Sequence, residues 1–309
     1  MQVHTSDSRE PGIALAQPAA DFTPPRTNST RLRYFFRTWP PLVIICLAWV
    51  LVVIFVAVFA DLLAPYGSSQ LDLLARLSPP SLAGSPNPHW LGTDELGRDV
   101  LTRLFSAVRV SVLVAFLSTV LSATVGVLLG FLAAHFRGWV EQLVLTLVDF
   151  QASMPFMIIA LAILAFFGNT LPLFIVLMGF YGWERAARIT RGLTIAAKEQ
   201  GYAAAVADIG ASPWRIYLKH VLPNIASTLI VSITLTFPEV ILLESGLSFL
   251  GLGVQPPMAS LGNMVGYGRE YLQSAPWLLL VPSTVIVLTT FSVSIAGDWL
   301  RDRLDPTLQ

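Results

Sequence analysis

The sequence predicts an all-α membrane protein with six spanning helices. Three observations carry that prediction. The 309 residues are 54% apolar and only 12% charged, against about 25% charged in a soluble domain, whose surface must meet water. Apolar runs recur at lengths near the roughly 20 residues that a helix needs to cross a bilayer. Lysine and arginine are gathered into a few connecting segments. The net charge of zero conceals that segregation, and no basic domain points to nucleic acid.

Residues 1–38 form a polar tail that holds Arg26, Arg31, Arg33 and Arg37. No cleavable signal peptide is evident, because the first apolar run starts only near residue 42 and is long enough to remain as a span. That run, Leu42 to Ala60, contains the single cysteine, Cys46, so no internal disulfide is available. An outer loop over about 61–106 follows. The second span, Ala107 to Ala134, carries Ser111, Ala115, Ser118, Ser122, Gly126 and Gly130 at three- or four-residue spacing. Such a stripe lets helix backbones approach closely, either inside this chain or against another subunit. The third span covers about Leu143 to Phe167. A short fourth runs from Leu171 to about Trp183 and continues as a helix in which Arg185 and Arg188 snorkel to the interface. The fifth covers about Val221 to Leu243, a loop follows over about 244–276, and the sixth covers about Trp277 to Gly297.

Orientation follows from the positive charges, which favour the cytoplasmic side. The fourth connection holds Arg185, Arg188, Arg191, Lys198, Arg215 and Lys219, and the C-terminal tail holds Arg301 and Arg303. These segments and the first tail share one side only if there are six spans with both termini cytoplasmic. That parity supports the short fourth span.

The connection over about 191–222 is too structured for a linker. Ala197 to Ile209 is Ala-rich and favours helix, and Gly210 stands where a left-handed helix stop belongs. Ser212 reads as an N-cap with Pro213 at the first helical position, and the second arm is expected to end at Pro223. A short rigid hairpin on the cytoplasmic side is what a docking element needs.

Three stretches together carry a family resemblance. The run Ala204-Ala205-Val206-Ala207-Asp208-Ile209-Gly210, followed by His220-Val221-Leu222-Pro223-Asn224, resembles the coupling loop of ABC-type import permeases. Ala204 stands where that pattern has Glu, and Val206 where it has Ala. The stretch Trp90-Leu91-Gly92-Thr93-Asp94-Glu95-Leu96-Gly97-Arg98-Asp99-Val100 is similar to the sequence after the first span of the dipeptide/oligopeptide/nickel permeases. Gly246-Leu247-Ser248-Phe249-Leu250-Gly251-Leu252-Gly253 with Gln255-Pro256-Pro257 is similar to their loop between the last two spans. The resemblance covers roughly residues 30–305 and fits the second permease type of such systems.

It implies a type I ABC importer permease (MetI-like) fold over 39–309, in a bacterial cytoplasmic (inner) membrane. It further implies one half of a path for peptides or peptide-like solutes, with nickel complexes, opines and sugars carried by relatives. The implied partners are a homologous but different permease, two ATP-binding subunits or domains that hold ATP and Mg, and an extracytoplasmic solute-binding protein. Tyr202, Ala204, Ala205, Asp208, Ile209, Gly210 and Ala211 are the expected contacts to the ATPases. On the outer side, Asp94, Glu95, Arg98 and Asp99 are expected on a helix capped by Thr93, either meeting the binding protein or only sealing the bundle.

No catalytic machinery is expected in the chain itself. A P-loop needs Gly-x-x-x-x-Gly-Lys-Ser/Thr, and the two lysines, Lys198 before Glu199 and Lys219 before His220, do not fit. Ser248 lacks nucleophile-elbow spacing, and the four histidines are scattered without metal-ligand spacing. The alternative is an ion-coupled secondary transporter or a channel. A coupled transporter needs ionisable groups inside the bundle; Asp149 and Glu239 are the acidic residues within the expected spans, Glu244 lies just past the fifth, and these three are the candidate pathway residues. Asp149 is expected at the interface. Glu239 and Glu244 are five residues apart, on different helix faces, so they are not expected to form one ion site.

Overall fold

In a bilayer no solvent takes up backbone N–H and C=O groups, so an apolar run must satisfy them internally by coiling. The computed structural model describes residues 40–67, 70–81, 89–199 and 212–304. Helix α1 spans Pro41–Leu63, α2 Val100–Phe136, α3 Gly138–Ser153, α4 Phe156–Phe167, α5 Leu171–Gly179 and α6 Trp183–Glu199. A short α7, Pro213–Ile216, passes through a π-helical turn, Tyr217–Val221, into α8, Leu222–Phe249. Then come α9, Leu261–Gly268, and α10, Trp277–Leu304. The one extended pairing among the described residues is a bridge between Thr93 and Asp99. The fold is all-α and membrane-spanning.

Four stretches are long and apolar enough to cross a bilayer unaided: α1, α2, the Tyr217–Phe249 stretch that contains α8, and α10. The third expected span is jointed. Its two halves, α3 and α4, meet at 87°. Pro155 supplies no N–H there, and Met154 before it is forced into extended backbone at φ −98°, ψ 136°. Counting the joined pair as one crossing gives five. The fourth expected span is divided too. It consists of α5, nine residues long, and α6, which restarts after Gly182 at φ +83°. Nine helical residues cover only about 14 Å, so a crossing at this point depends on α6 as well.

Helix α2 is the axis of the packing. Its 37 residues make a rod of about 55 Å, and α1, α5, α6 and α8 all lie against it. The stripe of small residues explains how they come so close. Ser118 Oγ donates to Ile175 O at 3.0 Å and Ser122 Oγ to Tyr181 O at 2.7 Å. A β-carbon at Gly126 would lie 2.5 Å from Trp183 O, and one at Gly130 would lie 2.6 Å from Thr190 Cβ. Of the two uses open to the stripe, the internal one is present. The main apolar core gathers Val100, Leu104, Val114, Phe174, Met178, Ile241 and Leu247, and a second cluster holds Phe131, Ala197, Tyr217, Val221 and Ile225.

Two boundaries fall away from their expected positions. Helix α8 runs on past Leu243 to Phe249, so Glu244 is inside it. The second arm of the expected hairpin does not end at Pro223. Pro223 sits in the first turn of α8, where its missing N–H leaves no bond unmade, and the arm continues into the fifth span.

Candidate functional site

The outer loop is organised by Asp94. Its carboxylate accepts from the N–H groups of Leu96 and Arg98, both at 2.9 Å, from Arg98 Nε at 2.7 Å and from Arg103 Nη1 at 2.5 Å. Asp99 caps α2, accepting from the N–H and the hydroxyl of Thr102, both at 2.8 Å, while its other oxygen meets His89 Nδ1 at 3.0 Å. The four predicted outer residues thus come together, but not on a helix capped by Thr93. Thr93 is bridged to Asp99, Gly92 and Gly97 have φ of +77° and +73°, and helix starts only after Asp99. Asp94 reaches back to Arg98 across a turn, a contact that aspartate makes as well there as on a helix. Asp94 and Asp99 are buried, whereas Glu95 and Arg98, paired at 3.1 Å, keep part of their surface. Leu74, Trp90 and Leu96 are exposed in the same region.

Glu244 is fully buried in a knot of hydroxyls. Ser111 Oγ donates to it at 3.0 Å and Ser248 Oγ at 2.8 Å. Those two serines in turn accept from Leu261 N–H at 3.0 Å and Val254 N–H at 3.2 Å. Ser260 and Asn263 close a capping box that starts α9. The knot fastens the loop between α8 and α9 onto α2. Every carboxylate oxygen is occupied, so Glu244 acts as a strut in this structure.

Glu239 is five residues away and differently placed. Arg185 Nη1 donates to its Oε1 at 2.9 Å, and Tyr181 OH donates to its Oε2 at 3.2 Å. Both charged side chains remain partly exposed, 46% for Arg185 and 35% for Glu239. Asp149, which is largely exposed, accepts from Arg188 Nη2 at 3.2 Å. Glu141 accepts from Arg191 Nε at 2.7 Å. Arg185, Arg188 and Arg191 therefore form a row on α6, and the acids that answer them stand on α8 and α3. Sequence reasoning treated Arg185 and Arg188 as snorkelling and passed over Arg191 and Glu141 as a pair. The available signal was the three-residue spacing, which puts the three arginines along one side of a helix.

At the C-terminal end of α2 a second cluster was missed altogether. Tyr217 OH meets His135 Nδ1 at 2.8 Å, and the Tyr217 ring stacks on Phe131 with centroids 5.2 Å apart. Lys198 Nζ donates to Ala134 O at 2.9 Å and stands 5.3 Å from the centre of the Tyr217 ring. Burial first, and the charge of Arg137 second, push the Lys198 ammonium below the usual lysine pKa range. The expected ATPase contacts Tyr202, Ala204, Ala205, Asp208, Ile209, Gly210 and Ala211 lie outside the described residues. Lys198 precedes that segment and Tyr217 follows it, and the two side chains are in contact. Among the described residues no group of three His, Cys, Asp or Glu side chains is placed to hold a metal ion.

Residues 126–309 match the family described as binding-protein-dependent transport system inner membrane component. The chain is 37% identical over 264 residues to the di/tripeptide transport system permease protein DppC of Pseudomonas aeruginosa, covering 85% of this chain and 87% of the relative. It is 34% identical over 260 residues to the oligopeptide transport system permease protein OppC of Bacillus subtilis, covering 84% of each. The glutathione transport system permease protein GsiD of Pectobacterium atrosepticum is 33% identical over 261 residues, covering 84% of this chain and 85% of the relative.

Proposed function

The chain belongs to the family of binding-protein-dependent transport system inner membrane components, and from that premise we propose that it forms one half of an import path for peptides or peptide-like solutes. It is a multi-pass inner-membrane permease subunit of an ABC importer, and ATP hydrolysis takes place in partner subunits. A homologous but different permease completes the path, with lipid around the pair. Two ATP-binding subunits or domains, which carry the ATP and Mg, dock on the hairpin through Tyr202, Ala204, Ala205, Asp208, Ile209, Gly210 and Ala211. An extracytoplasmic solute-binding protein meets the outer loop at Glu95 and Arg98, while Asp94 and Asp99 hold that loop in shape from within. Both termini are cytoplasmic.

One observation supports the path reading above the others. The charged row on α6 begins with the part-exposed Arg185–Glu239 pair, in which Glu239 lies ten residues inside the C-terminal end of α8. Charges at membrane depth face protein or water and not hydrocarbon, so this face lines the path together with Glu239. Reconstitution tests the whole assignment. The chain alone in liposomes should neither hydrolyse ATP nor concentrate peptide, and adding the partner permease, the ATPases and the binding protein should establish both activities together. Concentrative uptake by the isolated chain under a proton or sodium gradient would replace this reading with that of a secondary transporter.

A further inference from the structure

We propose that Arg185 and Glu239, steadied by Tyr181, form a recognition site for the charged ends of a zwitterionic solute, with the guanidinium taking the carboxylate and the carboxylate taking the ammonium. The proposal rests on the reading that this face lines the path, and it adds which groups of the solute are recognised there.

The first support is a convergence of broken helices. The α3–α4 bend at Met154–Pro155, the α5–α6 break at Phe180–Gly182 and Pro238 within α8 are joined by side chains. Gln151 Nε2 donates to Phe180 O at 3.4 Å, the Phe156 and Tyr181 rings stand 5.2 Å apart, and Tyr181 OH reaches Glu239. Helices interrupted inside a membrane are tolerated where the irregular backbone is buried in protein or lines a cavity.

Depth is the second support. Ser122, which holds the Tyr181 carbonyl, is close to the middle of the apolar run of α2. Along α8, Glu239 lies five residues, or about 7.5 Å, to the cytoplasmic side of Glu244, which is tied to Ser111 near the outer end of that run. Both routes place the pair well inside the apolar run of α2 and away from either of its ends.

The third is unused bonding capacity. Among the described residues only Nη1 of the Arg185 guanidinium meets a protein acceptor. A carboxylate can therefore approach its remaining N–H groups in the forked geometry that arginine favours. Glu244 offers a contrast within the same helix: it is wholly buried and fully bonded, built to stay as it is, whereas the Glu239 pair is open and exchangeable. Recognition confined to the two charges leaves the middle of the solute unread, which suits a path for peptides of varied side chains.

The assembled importer with its binding protein tests this using a free tripeptide, its N-acetyl form and its C-amide. Uptake is expressed as the ratio of variant to wild type for each peptide, so selection by the unaltered binding protein cancels. Arg185→Gln should lower the ratio at least tenfold for the two peptides that keep a carboxylate and leave the C-amide ratio near one. Glu239→Gln should do so for the two that keep an ammonium and spare the N-acetyl form. If either variant fails to assemble, Arg185→Lys and Glu239→Asp should show the same pattern at about threefold. A uniform loss across the three peptides, or no loss, overturns the proposal. Glu239→Cys in a Cys46→Ser background separates the two levels of the argument. Labelling of that cysteine by a polar thiol reagent from the cytoplasmic face, together with a flat uptake pattern, rejects recognition and keeps the path. Absence of labelling rejects both.

Discussion

At Glu244 a carboxylate has given up all contact with water, a transfer that costs several kcal/mol unless hydrogen bonds replace the lost hydration. Ser111 and Ser248 supply them, and each also accepts a backbone N–H from the loop above. Ser111→Ala therefore strips one bond from the carboxylate and leaves Leu261 N–H without its partner. The expected loss is about 1–3 kcal/mol, measurable as a lower unfolding temperature of the purified complex in detergent. Asp149 and Arg188 provide the opposite case. They are paired at 3.2 Å with most of their surface exposed, and exposed pairs contribute about 0–1 kcal/mol. Asp149→Asn should accordingly leave the unfolding temperature nearly unchanged. Should the two variants be equally destabilised, the knot around Glu244 is not the fastening described above.

Among elements, the π-helical turn at Tyr217–Val221 joins α7 to α8 beside Lys198 and His135. Such turns often mark functional positions inside helices, and this one follows closely on the segment expected to form the hairpin. Tyr217→Phe keeps the ring that packs on Phe131 but removes the hydroxyl that meets His135. The expected result is an assembled complex whose substrate-stimulated ATP hydrolysis falls about threefold or more, whereas unaltered stimulation would leave the cluster a purely packing role. Helices of this kind were partly legible in the sequence. Leu42–Ala60 and Trp277–Gly297 were visible because apolarity is itself the signal, and they correspond to Pro41–Leu63 and Trp277–Leu304. The joint at Met154–Pro155 was hidden because Met154, Phe156 and Met157 continue the apolar run on either side of the proline. Asp94 and Arg98 suggested a helix because their spacing suits one, while Gly92 and Gly97, which mark the turn, were the better guide. The partners of Arg185, Arg188 and Arg191 were illegible for another reason. Glu239, Asp149 and Glu141 are 54, 39 and 50 residues distant, and no local pattern connects them.

For the whole molecule, the gathering of Lys and Arg predicts that both tails are cytoplasmic. Single cysteines introduced at Ser8 and at Thr307 after replacement of Cys46 should resist an impermeant thiol reagent added outside intact cells and react once the membrane is opened. Reaction of either in intact cells would break the parity on which six crossings rest. Those crossings are unequally built. The α3–α4 pair is bent by 87° and the α5–α6 pair is interrupted at Phe180–Gly182, whereas α2 is one uninterrupted helix from its Asp99 cap to Phe136. The cluster at His135 and the loop ordered by Asp94 and Asp99 stand at opposite ends of that helix. One continuous helix thus carries both the Asp99 cap and the His135 cluster, with no break in the backbone between them.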